Sequence, residues 1–171
     1  GVIWRDNPVR IVQQYLTWAD SYQENQITLI YDTMWSGTRV MAENIAQGIK
    51  QADSQVNLKL YNLAKSDRND VMTEIFRSRA ILVGSPTINR TVLTSIVGLL
   101  EEMKGLKFRN KKAAAFGCYG WSGESVKMIK GQLEAAGFQV VDDGLRCLWN
   151  PDQKSIESCF EYGRNLAGLL K

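Results

Sequence analysis

A chain of 171 residues with 44% hydrophobic content can bury one substantial core and is too short for two comfortable domains. Its 21 basic and 18 acidic residues leave a net charge of only +3, too balanced for a nucleic-acid protein, and with no histidine neither a histidine-based triad nor an imidazole-held metal can exist. Apolar runs fall short of the roughly 18 residues of a membrane span and no charged-then-apolar leader opens the chain, so a soluble cytoplasmic protein is expected, and the start at Gly1 without methionine is expected of a piece of something longer.

Asp6 or Asn7 can cap a first helix with Pro8 at its first position. Ile11, Tyr15, Trp18 and Tyr22, with Val12, Leu16 and Ala19, make one apolar stripe on it, expected to pack on the flank of the domain. Residues 1–25 are therefore read as a connector and N-terminal helix, and 26–171 as the domain proper. Ile27, Leu29, Ile30 and Tyr31 form a short β-branched-rich run that reads as a buried parallel strand. Val40, Met41, Ile45, Ala46 and Ile49 recur at helical spacing, so that strand feeds a helix through Thr33-Met34-Trp35-Ser36-Gly37-Thr38.

In such a turn the first helical N–H groups lack intrahelical acceptors and point outward with the positive end of the helix dipole, which suits a dianionic phosphate. Thr33, Ser36 and Thr38 add hydroxyl donors and Gly37 permits close backbone approach. Ser and Thr at helix starts are also ordinary N-caps, which is the competing reading of the stretch. Neither the Gly-x-x-x-x-Gly-Lys-Ser/Thr of a triphosphate loop nor the Gly-x-Gly-x-x-Gly of a dinucleotide turn follows the strand, so a mononucleotide remains.

Val56, Leu58 and Leu60 alternate with Asn57, Lys59 and Tyr61, which reads as an edge strand, and Val71, Ile75 and Phe76 mark a short helix. Ala80 to Gly84 is a buried strand ended by Pro86 in Ser85-Pro86-Thr87-Ile88-Asn89-Arg90, and Val92, Ile96, Leu99, Leu100 and Met103 make the next helix. Lys112 to Phe116 is a fourth buried strand ending in Gly117-Cys118-Tyr119-Gly120-Trp121-Ser122-Gly123, a loop able to lie flat against a planar ligand. A helix from Glu124 to Ala136 is stopped by Gly137; Phe138–Val141 and Leu145–Trp149 are extended pieces broken by Asp142-Asp143-Gly144. A final helix begins at Pro151 or Asp152 and carries Ile156, Phe160, Leu166 and Leu169. Cys118, Cys147 and Cys159 form an odd set with no Cys-x-x-Cys pair and are expected to be free thiols.

Strands alternating with helices imply an α/β fold, a doubly wound five-stranded parallel sheet in the order 2-1-3-4-5 with helices on both faces and an extra N-terminal helix. Ligands in such sheets bind beyond the carboxyl ends of the strands, where the three special loops fall. The basic run from Lys104 to Lys112 precedes its strand and belongs to the opposite pole.

These loops resemble those of flavodoxin. Tyr31-Asp32-Thr33-Met34-Trp35, Gly84-Ser85-Pro86-Thr87-Ile88-Asn89 and Phe116-Gly117-Cys118-Tyr119-Gly120-Trp121-Ser122-Gly123 look more closely like the flavodoxin domain of flavodiiron proteins, the flavorubredoxin type of nitric oxide reductase included. Gly1-Val2-Ile3-Trp4-Arg5 resembles the connector that follows that family's β-lactamase-like diiron domain. The resemblance implies that Thr33, Met34, Trp35, Ser36, Gly37 and Thr38 surround the phosphate of FMN. It implies Pro86, Thr87, Ile88 and Asn89 on one side of the ring, and Tyr119, Gly120, Trp121 and Gly123 on the other, with Gly117 and Cys118 in the same loop. It further implies electron transfer to the diiron site of a nitric oxide or oxygen reductase, a rubredoxin-like donor and a head-to-tail homo-oligomer. A self-standing flavodoxin-like NAD(P)H:quinone oxidoreductase is the alternative. A receiver-type module would need clustered acids after the first strand, where only Asp32 fits.

Overall fold

The computed structural model describes residue 3, residues 5–19 and residues 22–170. Gly1, Val2 and Trp4 of the expected connector, and the Asp20-Ser21 stretch of the first helix, lie outside the described residues. The elements run α1 (Pro8–Ala19), β1 (Glu24–Tyr31), α2 (Gly37–Ala52), β2 (Asn57–Asn62), α3 (Arg68–Arg77), β3 (Ser78–Gly84), α4 (Thr94–Leu106), β4 (Lys112–Tyr119), α5 (Glu124–Ala135), β5 (Gln139–Val140), β6 (Leu145–Leu148) and α6 (Gln153–Leu169). The strands pair in the order β2-β1-β3-β4-β5, all in parallel, and β6 pairs with β4.

Both faces of this sheet are apolar, because the two-residue period of each strand sends alternate side chains to two separate cores. Ile27, Leu29, Leu82, Ala114 and Phe116 pack with α2 and α6, through Met41, Ile45, Ile49, Cys159 and Leu166. Ile30, Ile81, Val83, Ala113 and Ala115 pack with α3, α4 and α5, through Ile75, Ile96, Leu99 and Ile129. Helices α2 and α6 cross at two glycines: a Cβ on Gly48 would lie 2.0 Å from the Phe160 carbonyl oxygen, and one on Gly163 would lie 2.1 Å from that of Ile45.

The two extended pieces expected on either side of Asp142-Asp143-Gly144 are found, and two other expectations are corrected. The fifth strand position is filled by two consecutive pieces, β5 against Lys112–Ala113 and β6 against Phe116–Tyr119, because Gly144 at φ 80° and the Asp142 carboxylate accepting from its N–H at 2.8 Å turn the chain between them. Strand β4 continues through Gly117, Cys118 and Tyr119, since pairing with β6 extends the ladder beyond Phe116. Helix α1 is described over Pro8–Ala19 and buries none of those side chains fully, and Tyr22 of the expected stripe is not helical. Trp18 stacks on Phe76 with centroids 5.9 Å apart, whereas Val12, Tyr15 and Leu16 of the apolar stripe stay exposed.

Candidate functional site

At the carboxyl ends of β1, β3, β4 and β6 lies an open cleft of about 510 Å³, lined by Met34, Trp35, Gly37, Pro86, Thr87, Cys118, Tyr119, Gly120, Trp121, Trp149 and Asn150. That volume falls within the usual range for a small-molecule site.

The first wall is the turn from β1 into α2. Ser36 takes the left-handed conformation (φ 66°) and its side chain does not cap the helix, so the first-turn N–H groups of α2 are left without a side-chain acceptor. The ordinary N-cap reading of this stretch therefore does not hold. Thr33 Oγ1 is buried without a hydrogen-bond partner among the described residues, which is unusual for a hydroxyl and marks a place for an acceptor from outside the chain. Asp32 faces inward: it accepts from the Thr33 N–H at 2.7 Å and from the Ser95 hydroxyl. Thr38 is fully buried and its hydroxyl shares a 3.2 Å hydrogen bond with Cys118 Sγ. Burial pushes the Cys118 thiol pKa up, against the smaller opposing effect of the Thr38 hydroxyl. All three cysteines are free.

The second wall is the loop after β3. Thr87 is fixed from both sides, its N–H donating to the Cys118 carbonyl at 2.9 Å and its hydroxyl to Ser125 Oγ at 2.9 Å. Beyond it Ile88 and Thr91 exchange backbone hydrogen bonds across a tight turn with Asn89 and Arg90 at positive φ (47° and 62°). Ile88 and Asn89 therefore sit in a small hairpin outside the cleft lining, while Pro86 and Thr87 are in it.

The third wall is the end of β4 and the loop after it. A Cβ on Gly117 would lie 2.1 Å from the Ser85 carbonyl oxygen, and one on Gly123 would lie 3.1 Å from the Tyr119 ring. Both glycines lie behind the lining and let its strands and rings close together. Tyr119, Gly120 and Trp121 reach the cleft itself, and Trp121 and Trp35 are 89% and 82% exposed, so neither is the half-buried loop anchor a tryptophan would ordinarily be.

Of the residues singled out from sequence, Met34, Trp35, Gly37, Pro86, Thr87, Cys118, Tyr119, Gly120 and Trp121 line the cleft, whereas Thr33, Ser36, Thr38, Ile88, Asn89, Gly117 and Gly123 do not. Trp149 and Asn150 were not foreseen, although Leu145–Trp149 reads as extended and the carboxyl end of a parallel strand opens on the same edge as the other loops.

The flavodoxin family model matches residues 29–163. The chain belongs to the flavodoxin family. It is 50% identical over 167 residues to the anaerobic nitric oxide reductase flavorubredoxin of Escherichia coli O1:K1 / APEC, an alignment covering 98% of this chain and 35% of that protein. The chain thus spans about a third of the length of that relative. Its structure is similar to the rubredoxin oxygen:oxidoreductase of Desulfovibrio gigas (TM-score 0.86, 31% identity, 95% of this chain and 40% of that one). It is equally similar to the flavodiiron protein of Giardia intestinalis (TM-score 0.87, 26% identity, 99% and 42%). A flavodoxin from the domain Archaea matches with TM-score 0.75 and 28% identity over 85% of this chain and 98% of that one.

Membership implies FMN as cofactor, and the residues present fit it. A phosphate finds the unpartnered Thr33 hydroxyl and the uncapped start of α2, and a planar ring finds apolar and aromatic walls in the cleft. No helix among the described residues is long and apolar enough to cross a membrane, and no cluster of three potential metal ligands is found among them.

Proposed function

We propose that this chain is the FMN-binding electron-transfer domain of a flavodiiron protein that reduces nitric oxide or oxygen. The observation that carries the reading is the cleft itself: a phosphate-ready turn and an aromatic-lined slot on one sheet edge, with no titratable base among the lining residues other than the Tyr119 phenol and the Cys118 thiol. The 50% identity to a flavorubredoxin over 98% of this chain supports the same assignment.

Bound FMN would supply the redox chemistry, accepting and releasing electrons. The chain's own residues do the rest. The Thr33 hydroxyl and the first N–H groups of α2 hold the phosphate; Pro86 and Thr87 on one loop, and Tyr119 to Trp121 on another, position the ring and keep water from it. Cys118, with its pKa raised by burial, stays a thiol and serves as packing beneath Gly37, whose Cβ position is 3.1 Å from its sulfur. Residues 1–25 then form a connector and helix ahead of an FMN domain over 26–171. The parent's β-lactamase-like diiron domain is the electron acceptor, a rubredoxin or rubredoxin-like module the donor, and the parent a cytoplasmic head-to-tail homo-oligomer.

The test is anaerobic: reduce the FMN-loaded chain chemically, add nitric oxide with and without a diiron-domain fragment of the parent, and follow flavin reoxidation. Rapid reoxidation is expected only with the fragment, because this chain has no histidine to build such a site. Turnover at the parent's rate without the fragment would place the chemistry here and overturn the reading.

A further inference from the structure

Trp149 stands in the left-handed region at φ 57°, where a bulky side chain is an outlier, and it is 61% exposed at the mouth of the cleft. A conformation of that kind persists only where its surroundings over-determine it. Three contacts do so. The Trp149 N–H donates to the Tyr119 carbonyl at 2.8 Å. Its ring lies over Gly120, where a Cβ would come within 3.2 Å of Cη2 and Cζ3. The ring also meets Trp121 with centroids 5.7 Å apart and planes inclined at 59°.

The second contact gives Gly120, itself in the cleft lining, a further role: its missing side chain leaves room for the Trp149 ring. The third gives Trp121 its one ring partner among the described residues. Trp121 is otherwise open to solvent, and an indole free to turn must be ordered when a ligand arrives, a cost that a pre-held ring avoids. Asn150 continues the same loop toward α2, its Oδ1 3.0 Å from where a Cβ on Gly37 would sit. The loop thus joins the glycine-rich wall to the phosphate turn.

We infer that the Trp149-Asn150 loop is a fourth wall of the cofactor cleft and that Trp149 is a positioning residue, holding Trp121 in place against the bound flavin. The inference rests on the FMN reading above. Trp149 then acts on the flavin chiefly through Trp121, so most of the effect of its removal depends on Trp121 being present.

The experiment is a double-mutant cycle on FMN affinity, read by titration of flavin fluorescence and by the visible difference spectrum of the bound flavin, with folding checked by far-UV circular dichroism. Trp149→Ala is expected to weaken FMN binding about three- to tenfold, as loss of one aromatic pair would, whereas Trp149→Phe keeps a ring and stays within about twofold. In a Trp121→Ala background, Trp149→Ala is expected to cost clearly less affinity, and to shift the spectrum less, than it does with Trp121 present. Trp149→Leu, which keeps an apolar side chain at 149 and removes the ring, should reproduce the Trp149→Ala effect; it carries the test if Trp149→Ala does not fold. Equal losses from Trp149→Ala with and without Trp121 would overturn the positioning role, and FMN binding unchanged in both Trp149→Ala and Trp149→Leu would overturn the fourth wall. Failure of the unmodified chain to bind FMN would instead overturn the reading on which the inference rests.

Discussion

If Thr33 holds the phosphate as proposed, one hydroxyl pulls folding and binding in opposite directions. Buried and unpartnered, it burdens the empty chain; offered a phosphate oxygen, it forms a hydrogen bond to a charged group. Thr33→Val, which keeps the shape and removes the hydroxyl, should therefore leave the unliganded domain as stable or slightly more so, while weakening FMN about ten- to a hundredfold. Riboflavin, without the phosphate, should bind both proteins alike. Parallel melting curves and titrations check this, and equal weakening of riboflavin would move Thr33 away from the phosphate. Hydroxyls and glycine at a strand-to-helix turn were legible from residue type, but which hydroxyl remains unused was not. Thr38 reads as the equal of Thr33 in sequence, yet the fold turns its Oγ1 to Cys118. That partner is 80 residues away in the chain, so no local pattern could announce it.

Among the elements, the α2–α6 crossing and helix α1 show opposite kinds of packing. With backbone oxygens 2.0 and 2.1 Å from the Cβ positions of Gly48 and Gly163, an added methyl group cannot be absorbed by a side-chain shift, and the helices must separate. Gly48→Ala and Gly163→Ala should each cost about 3 kcal/mol or more in urea unfolding, the upper end for overpacking. Leu16→Glu on α1 should change stability by less than about 0.5 kcal/mol, because Leu16 is 65% exposed. A large loss from Leu16→Glu would mean that the apolar stripe of α1 is covered in solution. The periodicity of α1 was legible, but a stripe states only that a helix has an apolar face and not that this chain covers it. The sheet was legible for the converse reason: runs such as Ala80–Gly84 are apolar on both faces, and only a strand covered by helices on both sides can use them. The split of the fifth strand was visible as Asp142-Asp143-Gly144, yet that both pieces pair with β4 depends on register, which the turn residues do not encode.

Across the whole molecule the two edges of the sheet divide the work. The carboxyl edge holds the cleft, and the amino edge gathers cations that bind backbone carbonyls: Lys112 Nζ meets Leu169 O at 2.8 Å, and Arg79 meets Leu170 O and, at 3.4 Å, the Asp53 carboxylate. They cap the last turn of α6 where its carbonyls have no helical partner. Lys111, only 3% exposed, donates to the carbonyls of Tyr22, Phe76 and Ser78 at 3.0, 2.8 and 2.5 Å, tying the chain just after α1 to the start of β3. Burial pushes its ammonium pKa down from 10.5 to about 8. Between those two values the unfolded chain binds more protons than the folded one, so the contribution of Lys111 to stability grows as pH rises and is lost as pH falls through about 8. Cys159 acts in the other direction, since burial pushes its thiol from 9.0 to about 12 and its contribution is lost as pH rises through that range. The clearest window is therefore about pH 8 to 9, above the folded value for Lys111 and below the unfolded value for the thiol. Lys111→Met removes the titrating group while leaving Cys159 in place, so the stability difference between the two proteins isolates the lysine. Urea unfolding of both proteins at several pH values should show that difference shifting in favour of the unmodified chain from about pH 7.5 to 9.5. A difference that stays constant across that range would mean that the three carbonyls hold the ammonium as firmly as water does, and that burial at this edge carries no net charge penalty.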